Sequence, residues 1–142
     1  MCYYLYLASD ADLPLVEWQE NDRAYNVAEL EHYDVEVKKR FSKSHIVFLG
    51  AHTGCSCGFL YDSAPYDDKR DEIEDEAARE SIQKLVEYLS AQAKNSSLEL
   101  FACWNGDQGE EPSTTLNIAP SYFIGTEFPL GEEPTLLRVD KI

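Results

Sequence analysis

Positive charge is what this chain has least of: 12 Lys and Arg stand against 27 Asp and Glu, giving a formal charge of −15 over 142 residues. A surface of that sign repels nucleic-acid phosphates and anionic lipid head groups, which argues against both as partners. Long apolar runs are lacking as well. No window approaches the ~18 apolar residues of a membrane-spanning helix. The opening MCYYLYLASDADLP has no basic leader, and its apolar run is too short for a secretion signal with a cleavage site behind it. The expectation is a cytoplasmic protein in which the four cysteines, Cys2, Cys55, Cys57 and Cys103, are thiols rather than disulfides. A glycine-rich phosphate loop, His-Glu-x-x-His and Gly-x-Ser-x-Gly are all missing, which removes the commonest nucleotide-binding, metalloprotease and hydrolase readings.

What is present suffices for a core. Hydrophobic residues make up 44% of the chain and aromatics 12%, with nine tyrosines, a composition that folds rather than stays disordered. At this length one domain is the default, and neither an internal repeat nor a low-complexity linker divides it. Residues 1–142 therefore read as a single compact domain.

Patterning supplies the elements. CYYLYLA (2–8) is apolar on both faces and reads as an interior strand; AYNVAEL reads as a short one. HIVFLGA (45–51) is the clearest strand, with CGFLY as its continuation or hairpin partner, and SLELFACW (97–104) is another. DVEVKKRF predicts one or two helical turns capped by Asp34, with Lys38, Lys39 and Arg40 near the carbonyl end. From Asp71 to about Lys94, Ala78, Ile82, Leu85, Leu89 and Ala93 recur three and four apart, the stripe of a long amphipathic helix. The tail segments SYFIGTEF, PLGEEP and TLLRVDK predict a closing β-hairpin. Together these give an α+β domain in which a mixed or mainly antiparallel sheet of five to seven strands packs against one long helix.

The stretch AHTGCSCGFLYD draws the chemical expectation. On a strand Cys55 and Cys57 share a face, His52 lies close, and Cys103 and Cys2 sit on other strands, so tetrahedral zinc ligands of C and H type can in principle converge. The Cys-x-Cys spacing departs from the two to four intervening residues of zinc knuckles. The plainer reading makes the four cysteines small buried hydrophobes. A cysteine nucleophile with His52 or His45 as base stays open as well, since it asks only for adjacency in space. The loop WNGDQGEE sets Asn105, Asp107, Gly109 and Glu111 at alternate positions, but without a calcium-loop framework it reads as an exposed turn. From Asp62 to Glu80 nine acids meet three bases. Asp67, Asp68, Asp71, Glu72 and Asp75 in that stretch are the candidate contacts for a basic partner, beside the plain reading of a solvated helix face.

The opening MCYYLYLAS together with FSKSHIVFLGAHTGCSCGF resembles small uncharacterised bacterial proteins that begin Met-Cys-Tyr and carry Gly-Cys-x-Cys-Gly after an apolar strand. That resemblance implies no activity, cofactor or residue role. The functional expectation is an acidic protein, leaning away from enzymatic activity, that binds a basic protein or a small ligand. The alternative is a zinc-like or thiol site built around Cys55 and Cys57.

Overall fold

The computed structural model describes residues 3–19, 24–59, 69–124 and 133–142, with side chains in the long helix described from residue 76 onward. Six strands form one sheet: β1 (Tyr3–Ser9), β2 (Tyr25–Glu29), β3 (His45–Ala51), β4 (Leu98–Trp104), β5 (Thr114–Ile118) and β6 (Thr135–Val139), in the order β2-β3-β1-β4-β6-β5. Every neighbouring pair is antiparallel except β5 with β6. The long helix α1 (Lys69–Ala93) covers one face of the sheet, and a shorter 3₁₀ helix, His32–Arg40, packs on the other. This is the α+β domain that the sequence predicts.

Alternation along β1 builds both faces. Leu5 stands opposite Leu49 and Ala102, and Leu7 opposite Val47 and Leu100, on the side of α1; Tyr4 and Tyr6 stand opposite Cys103, Phe48 and Phe101 on the other. Burial on both faces is why this strand, with β3 and β4, carries apolar residues at odd and even positions alike. The predicted helical stripe, Ala78, Ile82, Leu85, Leu89 and Ala93, is buried throughout. Among the described residues no helix is long and apolar enough to cross a membrane.

Three local expectations are corrected. Cys57–Phe59, the described part of CGFLY, lies in the 3₁₀ turn Ser56–Phe59 and not in a strand, because Gly54 takes φ +88° and the Ala51 N–H donates to the Cys55 carbonyl at 3.0 Å. Asp34 is the third residue of its helix rather than the cap; Glu31 takes the cap position, and its N–H donates to Asp34 Oδ2 at 2.9 Å. Of the predicted closing hairpin, Ser121–Phe123 lies in the 3₁₀ helix Pro120–Phe123, residues 125–132 lie outside the described residues, and β6 pairs in parallel with β5. Parallel strands need a crossover of a dozen or more residues, so a tight turn cannot join them.

Candidate functional site

On the sheet face away from α1 five aromatic side chains, Tyr4, Tyr6, Phe41, Phe48 and Phe101, gather with Val37, Leu30 and Ile46. The rings of Tyr4, Tyr6 and Phe48 lie 6.0 to 6.1 Å apart, and Phe41 stands edge-on to Phe101 at 6.4 Å. Helix 32–40 drops two buried side chains, Asp34 and Val37, onto them. A carboxylate there, 2% exposed, needs partners to offset its lost hydration. It has them: the Tyr6 hydroxyl donates to Asp34 Oδ1 at 2.5 Å, and the Glu31 N–H to Oδ2 at 2.9 Å. Gln108 Nε2 donates to the Tyr6 oxygen at 3.4 Å, and its Oε1 accepts the Gly106 N–H at 2.9 Å. Burial first, then the bond to Asp34, pushes the Tyr6 phenol up, so it stays a neutral donor. Cys103, in the same layer, is pushed up to about 12 by burial and by Asp107 and Asp34.

Beside this network opens a cavity of about 230 Å³. Tyr4, Tyr33 and Phe48 give it aromatic walls, Glu29, Glu31 and Asp34 bring carboxylates, and Asn26 and Gly54 close one end. Asn26 is held in place by its amide, which donates to the Gly54 carbonyl at 3.3 Å. Glu29 and Glu31 are exposed, and Tyr33 is 54% exposed on the rim. The volume falls below the ~300 Å³ at which pockets begin to enclose a whole drug-sized molecule, so it suits a small group or the end of a side chain.

Among the described residues Cys103 does not join the predicted zinc ligands Cys55, Cys57 and His52. Cys57 Sγ packs toward the α1 face and accepts the Tyr3 N–H at 3.1 Å. Cys55 Sγ lies 3.4 Å from the Thr53 hydroxyl, and His52 Nδ1 lies 3.0 Å from the Ser81 hydroxyl, which also accepts the His52 N–H. Cys103 points to the opposite face of the sheet, because its place in β4 puts it with Tyr4, Tyr6 and Phe101. Cys2 lies outside the described residues. Among the described residues no group of three or more His, Cys, Asp or Glu is placed to hold a metal ion. Of the predicted partner contacts, Asp67 and Asp68 lie outside the described residues, and Asp71, Glu72 and Asp75 fall in the first turns of α1, described there only as backbone.

The loop after β4 is a pair of turns, with Asp107 N–H donating to Trp104 O and Glu110 N–H to Asp107 O, both at 3.0 Å, and its buried member is Gln108. Sequence reading passed over Tyr33, Asn26, Glu29, Glu31 and Gln108. The available signal was the crowding of Glu29, Glu31, Tyr33 and Asp34 within six positions. Compared with known proteins, the chain matches no family model, no curated sequence and no solved structure.

Proposed function

We propose that the protein is a binding module that takes a cationic group, the lysine or arginine end of a basic partner or a small organic cation, into the cavity between β1–β3 and helix 32–40. The observation that carries this reading is the joining of three aromatic rings and three carboxylates around one small opening. A cation over an aromatic face gains ~0.5–1 kcal/mol when exposed and ~2 kcal/mol when desolvated, and a carboxylate adds a charge-assisted hydrogen bond. An anion entering the same cavity meets three like charges. The overall charge of −15 draws a basic partner toward the surface and repels an acidic one.

Binding rather than catalysis is supported by the state of Asp34. Both of its oxygens are already engaged, by Tyr6 and by the Glu31 N–H, so Asp34 fixes the wall of the cavity. Glu29 and Glu31 at the exposed mouth are the groups left to meet a cation.

Titration with short peptides containing one lysine or one arginine, followed by NMR shifts of the tyrosine rings, tests the reading. A single side chain should bind in roughly the millimolar range, and the citrulline analogue should not. Binding should weaken above ~0.3 M salt, where screening reaches only a few ångströms. Equal binding of the citrulline peptide, or shifts confined to residues away from Tyr4 and Tyr33, overturns it.

A further inference from the structure

The Cys-x-Cys segment plays no part in that cavity's chemistry, and its geometry points elsewhere. Beyond β3 the chain closes on itself: Gly54 N–H donates to Ala51 O at 2.9 Å, Gly58 N–H to Cys55 O at 3.3 Å, and the Thr53 hydroxyl to Cys55 O at 3.1 Å. A Cβ at Gly58 would stand 2.6 Å from Thr53 Oγ1 and 2.8 Å from the Ala51 Cβ, so the turn has no slack. Rise per residue falls from ~3.3 Å in a strand to ~2.0 Å in a 3₁₀ turn, which brings residues two apart well inside the ~6.8 Å that a disulfide tolerates. The Thr53 hydroxyl stands 3.4 Å from Cys55 Sγ, on the same tight turn that carries Cys57. Both thiols are half-buried and reduced.

We infer that Cys55 and Cys57 are a hydroperoxide-reactive pair, in which Cys55 is oxidised first and Cys57 converts the product to a disulfide within the 51–59 turn.

The surroundings of the two sulfurs assign the roles. Burial disfavours a Cys55 thiolate, but hydrogen bonding, with the Thr53 hydroxyl 3.4 Å from the sulfur, outweighs it, so its pKa is lowered. Cys57 instead is tied to the head of β1, accepting the Tyr3 N–H at 3.1 Å and facing the Tyr3 carbonyl at 3.9 Å. In the first step the Cys55 thiolate attacks one oxygen of the hydroperoxide. An S–O bond forms, the O–O bond breaks, and the departing alkoxide or hydroxide takes a proton from water. Sulfur loses two electrons and the peroxide gains them. In the second step the Cys57 sulfur attacks the sulfenic sulfur of Cys55: the S–S bond forms, the S–O bond breaks, and hydroxide leaves with the Cys57 proton as water. A dithiol reductant returns both thiols.

Exposure of the full chain to a few equivalents of hydrogen peroxide, then tryptic digestion without reduction, tests the pair, because both cysteines fall in the peptide 44–69. That peptide should lose the mass of two hydrogens, and the loss should reverse with dithiothreitol. In Cys57→Ser, dimedone should label Cys55; in Cys55→Ser, the peptide should stay unoxidised while circular dichroism confirms the fold. In the untreated protein Cys55 should react with iodoacetamide at least ~100-fold faster than Cys103. A peptide that stays reduced while other cysteines oxidise overturns the proposal. So does disulfide formation at the wild-type rate in Cys57→Ser, or equal alkylation of Cys55 and Cys103.

Discussion

The two faces of the sheet are built on opposite plans. Against α1 the core is large and mainly apolar: Leu5, Leu7, Leu49, Leu85, Leu89 and Leu100 are each no more than 1% exposed, and they pack with the rings of Tyr3, Phe59, Tyr88 and Phe123. Under helix 32–40 the core is aromatic and holds a carboxylate, a phenol, an amide and a thiol, with a cavity beside them. The first face is non-directional and tolerates swaps of equal volume; the second depends on particular hydrogen bonds, each costly to leave half made. The larger buried cluster lies on the first face, and the cavity proposed to take a cation lies on the second.

Truncation should separate them most sharply. Leu89→Ala, at a site with 0% exposure, is expected to lose ~2–5 kcal/mol in urea unfolding while leaving the tyrosine environment of any surviving fold intact. Asp34→Ala should cost less, ~1–3 kcal/mol, since it strands the Tyr6 hydroxyl and the Glu31 N–H without emptying a large volume. If Asp34→Ala costs nothing, the polar layer is a passive covering and the contrast fails.

Alkaline titration probes the polar face through its protons. Burial holds the Cys103 thiol at about 12 against an ordinary 9.0, and Tyr6 is raised by burial and by Asp34, so the folded chain keeps protons that the unfolded chain has already released. The stability from Cys103 is complete below about pH 9 and is lost as pH rises toward 12. Thermal melting in Cys103→Ala should therefore stay flat up to about pH 10, where the raised phenols, Tyr3 and Tyr88 among them, begin to act. The smallest effect is expected from Tyr33→Ala on the rim: stability within ~0.5 kcal/mol of wild type, with lysine-peptide affinity down ~2–5-fold.

The same division decides what sequence reading found. The stripe of α1 and the doubly buried β1, β3 and β4 were legible because an apolar core writes its periodicity into the chain. β5 was missed because Thr114, Thr115, Leu116 and Asn117 are all exposed on an edge strand, so no buried alternation marks it. The polar layer was illegible for another reason: Tyr6 and Gln108 stand 102 positions apart, and nothing in either neighbourhood announces the other. The cavity likewise draws on three strands and helix 32–40. Cys-x-Cys was noticed, but its strand-face geometry was wrong, since a positive φ at Gly54 converts the segment into a turn.

Among the described residues β5 pairs with β6 alone, while β6 also pairs with β4. Strand order therefore runs against the order of synthesis. As the chain leaves the ribosome, residues 114–118 emerge with no strand to dock on, and they wait for residues 135–139 to fill the place between them and β4. Among the described residues β6, the later of the two in the chain, is the strand that seats β5, so this edge of the sheet cannot close until residues 135–139 are in place.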